Sequence, residues 1–367
     1  MEFQFKGDAE TGLSVSPPFF DGAGKRIYNP ARAWYRGDFH VHTACSDGKM
    51  PPSRVKQEAE RRGLDFFAIT EHNFFHTGLA GDAMPVISGM ELTLEQGHFN
   101  IFVGEGLPLL PEGLRNGMIQ LQGSPGGFLK EYRASGAVVS VNHPFMVPWE
   151  VRDPDLDLSL LDAMEIICDP TWGTSAASAE KALKAFGILW DRGFRVTGLG
   201  GSDIHNPPEE PYEGSNAPGL IGLPSTWVLA EELSTAALLK AVTQRRVCVA
   251  TDFRLEVFAR CAAGEYPPGS RLPLRGGDSD VSVFVSVTDT GGTYRAEIVE
   301  DGMIKETAFV SGEPWVCFNR RWGKGCHWLR VDIRDAAGRL CGFANPFYSG
   351  DRKIEKTTWG ELVELVG

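Results

Sequence analysis

The 367-residue sequence contains no apolar run approaching the ~20 residues that span a bilayer as a helix. Its seven cysteines are scattered, odd in number and free of any C-x-x-C spacing, which argues against a disulfide framework and for a reducing compartment. Basic residues are in deficit, with 36 Lys and Arg against 48 Asp and Glu, a formal net charge of −12. A nucleic-acid-binding face needs clustered cations, so that class is set aside. There is no Walker-type glycine loop, internal repeat or low-complexity segment, and "GLGGSD" (198–203) lacks the helix a dinucleotide fingerprint requires directly after it. "MEFQFKGDAETG" lacks the basic start and apolar core of a signal peptide, and a cytoplasmic location is expected.

What remains is an ordinary globular composition, 42% hydrophobic and 23% charged, long enough for one large domain and a smaller one. Histidine is scarce and uneven. Seven of the eight lie before residue 206, at His40, His42, His72, His76, His98, His143 and His205; only His327 follows. In "RGDFHVHTACSDG" (36–48), His40 and His42 sit two apart after an apolar-leaning run. Side chains alternate faces along a strand, so these two would project together, as donors to one cation must.

Other segments repeat the theme. "DFFAITEHN" (65–73) reads as a buried strand ending at Glu71, His72 and Asn73, after a helix over 52–63. Strands over 84–93 and 97–106 carry Glu91 and His98, and "AVVSVNHP" (137–144), after a helix over 126–136, ends at Asn142 and His143. A strand over 162–170 and a helix over 178–193 lead to "FRVTGLGGSDIH" (194–205), which runs into Asp203 and His205. This β-α alternation predicts a parallel sheet or barrel. In such folds catalytic groups gather where strands end, which is where these polar residues stand.

His40, His42, Asp47, His72, Glu91, His98, His143, Asp203 and His205 exceed the three or so protein ligands of one catalytic zinc site and suit two or three divalent ions. Imidazole and carboxylate without thiolate suit Mn, Fe or Zn. The ordered set "GDFHVHTACSDG", "TEHN", "GME", "NHP" and "GSDIH" resembles the PHP (polymerase and histidinol phosphatase) domain, over residues 36–206. "GHFN" and the β-rich C-terminal portion look like its carbaryl-hydrolase-like branch (CehA/McbA).

The resemblance implies a distorted seven-stranded (β/α) barrel, TIM-like, over residues 1–255, followed by a small antiparallel β-sandwich over 256–367. It implies one ion held by His40, His42, Asp203 and bridging Glu91, a second by Glu91, His98 and His143, and a third by Asp47, His72 and His205. Glu91, His143 and His205 would carry catalysis.

The expected reaction is hydrolysis of a small-molecule phosphate monoester or diester. An aryl carbamate or carboxyl ester on the same centre is the alternative, and a non-catalytic metal-binding scaffold the third reading. Asp38 and Asp169 are expected to orient ligand imidazoles. Arg36, Lys49, Arg152, Asn73, Asn142 and Asn206 are candidate phosphate partners, the three cations being equally well read as solvated loop charges. His76 is read as a residue behind the ligands or facing solvent, His327 as structural, and Cys45 and Cys168 as packing. Loops 74–85 and 206–219 would shape the pocket.

Beyond residue 234, a helix leads to a strand ending at 251. "DVSVFVSVTD" (280–289) alternates as a half-buried strand, 294–310 reads as a hairpin turning at "EDG", and 327–349 as two strands around "DAAG". Stabilisation, with room for a homo-oligomer, is the leading reading of this portion over a cap or a sugar- or partner-binding face.

Overall fold

The computed structural model describes residues 19–20, 26–76, 84–104, 124–213, 215, 217–274 and 279–367. Residues 77–83 of the first expected pocket loop, and 214 and 216 of the second, lie outside these. The first half contains seven strands that adjoin in chain order: β1 Ala33–Asp38, β2 Phe66–His72, β3 Val86–Leu94, β4 Gly97–Val103, β5 Val138–Val141, β6 Ala163–Cys168 and β7 Thr197–Gly201. Helices α1 Pro52–Arg61, α2 Pro125–Ala134 and α3 Ser175–Asp191 precede β2, β5 and β7. Proline opens α1 and α2, where its missing N–H is not needed. The strands are apolar almost end to end because both faces are covered.

The sheet is mixed rather than parallel throughout. β1–β2, β2–β3, β5–β6 and β6–β7 are parallel, but β3–β4 and β4–β5 are antiparallel. Only Glu95 and Gln96 join β3 to β4, too short a link for a parallel crossover. Past the strand ends, Asp203 N–H donates to the His40 carbonyl (2.9 Å) and His42 N–H to the Ile204 carbonyl (3.1 Å), so the first and last of the seven strands meet there.

These seven strands belong to a larger sheet of thirteen among the described strands. β8 Ser225–Ala230 pairs antiparallel with β1 and is followed by α4 Thr235–Thr243 and β9 Val247–Ala250. The remaining strands are β10 Arg254–Cys261, β11 Gly264–Tyr266, β12 Ser279–Thr288, β13 Tyr294–Glu300, β14 Met303–Val310, β15 Gly312–Trp322, β16 His327–Arg334 and β17 Leu340–Ser349, with α5 Trp359–Val366 last. β9 pairs with β17, so the large sheet runs on as β17-β16-β13-β14, while β11-β10-β12-β15 forms a second sheet.

The expected C-terminal sandwich is therefore present as two layers, one of which continues the first half's sheet. Leu255, Val257, Val283 and Val285 face Ala296, Ile298, Val331 and Ile333 in one buried cluster between them. The hairpin turns at Asp301 and Gly302, both at positive φ, as its tight loop demands.

Arg330 of β16 fastens the two halves. Its guanidinium donates to both carboxylate oxygens of Asp332 (2.6 and 2.9 Å) and to the Leu183 carbonyl of α3 (3.4 Å), with both side chains buried. Removing one member of a buried pair strands the other's charge. Asp332→Ala should lower stability by about 3–5 kcal/mol, read as a shifted denaturant midpoint.

Candidate metal centre

The strand ends deliver the predicted residues to one place. His40 and His42, two apart just past β1, put their rings side by side with centroids 5.2 Å apart, both fully buried. Glu91 of β3 lies at the middle. Its Oε1 is 3.3 Å from His40 Nε2, 3.1 Å from His98 Nδ1 and 3.3 Å from His143 Nε2; its Oε2 is 3.3 Å from His42 Nε2 and 3.0 Å from His72 Nδ1. Asp203 Oδ1 is 3.2 Å from Nε2 of both His40 and His42. Asp47 lies 3.2 Å from His72 Nε2 and 3.4 Å from His205 Nε2. All nine residues thus converge.

Within this cluster three sets have donor atoms mutually within 4.8 Å: His42, Asp47, His72 and His205; His40, His42 and Asp203; and His40, Glu91 and His143. His98 joins none of them, though it touches Glu91.

Backbone strain sets the geometry. Asn73, His143, Asp169 and Asp203, one or two residues past the ends of β2, β5, β6 and β7, all take positive φ (58, 26, 31 and 51°). Non-glycine residues adopt this region rarely, and such strain collects at functional sites. Gly201 is required by close approach: a Cβ there would lie 2.4 Å from His40 Cβ and 2.5 Å from Glu165 Oε1.

Glu165 is the residue that sequence reading missed. Buried in β6, its carboxylate lies 3.1 Å from His40 Nδ1 and accepts from His143 N–H (2.8 Å). The available signal was a carboxylate inside the apolar run "AMEIIC", a residue type almost never buried without a partner.

The roles expected of Asp38 and Asp169 are corrected. Asp38 accepts from the backbone N–H groups of His40, Ser202 and Gly222, and Asp169 from Thr171 N–H and Oγ1, so both brace backbone rather than rings. Ring orientation falls instead to Glu165 on His40, Thr93 Oγ1 on His72 (2.6 Å) and the Asp203 carbonyl on His205 (2.8 Å). Tyr212 clamps that last turn, its hydroxyl accepting from His205 N–H (2.9 Å) and donating to the Asp203 carbonyl (3.2 Å).

Several other candidates are committed elsewhere. Arg36 donates to Ser225 Oγ and the Arg62 carbonyl, Lys49 pairs with Glu210, and Arg152 pairs with Glu150. Asn142 Nδ2 donates to Glu91 Oε1 (2.9 Å), and Asn73 braces Thr93. Asn206 is buried but does not line the cavity. Cys168 is buried, and burial together with Glu165 and Asp203 pushes its thiol pKa up, which removes it as a nucleophile; Cys45 is exposed. His327 pairs with Asp301 in the C-terminal sheet, and His76 accepts a bond from Ser88 at its carbonyl.

Electrostatics follow from this packing. Burial opposes charge on Glu91, but His40, His98 and His72 outweigh it and hold the carboxyl well below its usual range. Burial likewise raises Asp203, and His40 and His42 more than reverse it. Burial opposes the charged forms of His72 and His205 too; Glu91 and Asp47 still raise His72 to about 10, and Asp47 and Asp203 raise His205 to about 9. His98 is pulled down, chiefly by burial.

The donors fit divalent ions. Buried His40 Nε2, both ring nitrogens of His42, His143 Nδ1 and Asp203 Oδ1 have no hydrogen-bond partner, and orphaned buried polar atoms are costly. A cation shared among them would satisfy several at once.

The cluster lines a cavity of about 530 Å3 that is also lined by Met146, Trp149, Trp172 and Tyr212. No Lys or Arg lines it among the described residues.

No protein-family model and no curated protein matches the chain. Solved structures do. A two-domain protein from Bacteroides vulgatus containing a predicted PHP-like metal-dependent phosphoesterase aligns over 93% of this chain and 100% of its own, at 16% identity and TM-score 0.43. A protein from Bifidobacterium adolescentis, described by prediction as a metal-dependent phosphoesterase, aligns over 57% and 95%, at 16% identity and TM-score 0.35. An amidohydrolase from Chromobacterium violaceum, with bound sulfate and no metal, aligns over 47% and 88%, at 17% identity and TM-score 0.34. The first carries the family name read from the motifs. Identity and TM-score are low throughout, so neither fold nor chemistry here rests on these likenesses.

Two predictions follow from the ring partners. Glu165→Gln should weaken divalent-metal affinity about tenfold to hundredfold, measured by competition with a chelating dye. The second concerns pH. His72 and His205 hold protons at neutral pH because their pKa values are raised, and a metal ligand must be neutral, so ion binding expels them. Affinity at the Asp47, His72 and His205 group should therefore rise with pH, by up to about a hundredfold per unit between pH 6 and 9. Calorimetry in buffers of different ionisation enthalpy should record up to about two protons released there.

Proposed function

We propose that the chain is a metal-dependent hydrolase, and most specifically a phosphoesterase acting on a small-molecule monoester or diester. The observation that carries this is Glu91, one buried carboxylate with its two oxygens divided among five imidazoles, with Asp203 and Asp47 beside it. That is the donor arrangement a bridged polynuclear centre needs.

Two or three divalent ions of the Mn, Fe or Zn type, when bound, lower the pKa of a water towards 7 and neutralise developing charge on phosphoryl oxygens. The chain's part is to hold them. His40, His42 and Asp203 would serve one ion, Glu91, His98 and His143 a second, and Asp47, His72 and His205 a third, with Glu91 shared between the first two. Glu165 and Tyr212 fix the rings and the turn that carry those donors. In the reaction the P–O bond to the leaving oxygen breaks as a bond from water oxygen forms in line, and one water proton ends on the leaving alcohol. Glu91, His143 and His205 are the residues on which turnover should depend.

We read the seven strands, closed at His40–Asp203 and His42–Ile204, as the distorted barrel of the PHP type. Seven unpaired cysteines suit a cytoplasmic setting. No helix among the described residues is long and apolar enough to cross a membrane.

The second reading, a carbamate or carboxyl ester hydrolase on the same centre, is favoured by the cavity's want of a basic lining residue. A non-catalytic scaffold is disfavoured by the completeness of the donor set.

Purified without chelator or His tag, the protein should carry two to three equivalents of metal per chain by plasma mass spectrometry. Glu91→Gln, still folded by circular dichroism, should lose about a hundredfold to a thousandfold in phosphatase kcat, the scale of removing a central electrostatic group. Retained turnover would overturn the bridging role. A panel of nitrophenyl phosphates against naphthyl carbamates and nitrophenyl esters decides between the two hydrolase readings.

A further inference from the structure

Three aromatic side chains line the cavity beside the metal cluster. Trp149 and Trp172 lie with ring centroids 5.0 Å apart, and Tyr212 meets Trp172 edge-on at 6.3 Å. They come from three segments, following β5, β6 and β7. The Trp172 indole Nε1 donates to the Val147 carbonyl, the backbone N–H of Trp149 donates to the Met146 carbonyl and so fixes its turn, and the Tyr212 hydroxyl holds the Asp203–His205 turn. Trp149 is nevertheless 38% exposed, and it also stands 6.5 Å from the His143 ring. An indole held open to solvent beside the reacting centre costs hydrophobic free energy that a bound planar group would recover.

Charge narrows the choice further. The titratable groups lining the cavity are Asp47, Glu91, Asp169 and Asp203 with four histidines and Tyr212, and no Lys or Arg lines it among the described residues. Lys49 and Arg54 are already paired with Glu210 and Glu209. With Asp47, Glu91 and Asp203 committed to the metal centre, a second anionic group remote from the reacting bond would meet Asp169 and, among the described lining residues, no Lys or Arg to hold it. One anionic group can be taken by the metal centre, and the aromatic lining favours an uncharged remainder.

We infer that the substrate carries a single anionic or polar reacting group joined to a planar aromatic or heteroaromatic ring, seated against Trp149 and Trp172. This rests on the hydrolase reading above and deepens it by naming the recognised group. A cavity of about 530 Å3 holds a molecule of that size. Trp149 and Trp172 then determine specificity and take no part in the chemistry.

The test uses benzyl phosphate and n-butyl phosphate, whose leaving alcohols are similar in acidity, so intrinsic reactivity does not decide the ratio. The metal-loaded protein should prefer benzyl phosphate in kcat/KM by about tenfold. The preference should fall to within about threefold in Trp149→Ala and in Trp172→Leu, two variants that fail independently if either misfolds. An unchanged ratio in folded variants that still bind metal overturns the inference.

A second measurement does not need turnover: saturation-transfer NMR of 2-naphthylmethanol and n-hexanol with the metal-loaded protein. Transfer to the naphthyl ring, absent for hexanol and lost in Trp149→Ala, supports the aromatic seat even if no phosphate ester is hydrolysed, an outcome that would count against the phosphoesterase reading alone. Equal transfer to both alcohols overturns the seat itself.

Discussion

A carboxylate as deeply buried as that of Glu91 cannot stand alone. Stripped of water, its charge must be met by neighbours, and five imidazoles meet it. The rest of the site depends on this convergence. Each imidazole comes from a different stretch of chain, except for the His40–His42 pair, so the strands must end at one level and on one side for the charge to be satisfied. Mutual support of this kind makes the cluster sensitive to single losses: a missing ring leaves a carboxylate partly unmet, and a missing carboxylate leaves several buried ring nitrogens without an acceptor.

The cost of the arrangement is visible in the backbone. Four strand-end residues sit at positive φ without being glycine, and Gly201 stands where even one methyl group would strike His40 and Glu165. Local preference alone would not hold such turns. They are held by bonds from groups outside the donor set, such as the Asp38 carboxylate on three backbone N–H groups and the Tyr212 hydroxyl on the Asp203–His205 turn. The thirteen-stranded sheet adds rigidity beneath them. β8 lies beside β1, and Thr226 Oγ1 of β8 bonds both the N–H and the carbonyl of Gly200, next to Gly201.

How much of this the sequence made legible depends on how local each signal was. His40, His42, His72, His143, Asp203 and His205 stood out as candidates because each follows an apolar run within a short, ordered motif, whereas Asp47, in a polar turn, and His98, which opens its strand, were placed by the resemblance. The helices 52–61 and 175–191 and the hairpin turning at Asp301 and Gly302 were legible for similar local reasons. The antiparallel β3–β4–β5 step was obscured because two short apolar runs look alike whichever way they run. The β9–β17 ladder, which merges the C-terminal strands into the first sheet, joins residues almost a hundred positions apart and leaves no local mark. Glu165 was passed over because a single charge in "AMEIIC" reads as an interruption of a strand. Only the structure shows that its partner is His40, 125 residues away. Asp38 and Asp169 were placed near the right rings but given the wrong target, since sequence proximity does not say whether a carboxylate turns toward a ring or a backbone N–H.

The aromatic wall belongs to a different order of information. Trp149, Trp172 and Tyr212 carry no motif and lie outside the ordered metal set, yet they occupy loops after β5, β6 and β7, the same strand ends that present His143, Asp203 and His205. In this architecture, chemistry and recognition share one set of strand ends but use different residues of it: the candidate donors His40, His42, His143, Asp203 and His205 lie within the first four positions past β1, β5 and β7, and Trp149, Trp172 and Tyr212 stand four or more positions past β5, β6 and β7. The donors are constrained by one another and by a small repertoire of ions, whereas the aromatic lining answers only to the molecule that fills the cavity. That asymmetry is why the metal set can be read from short motifs while the substrate must be argued from the shape, polarity and missing cations of the cavity.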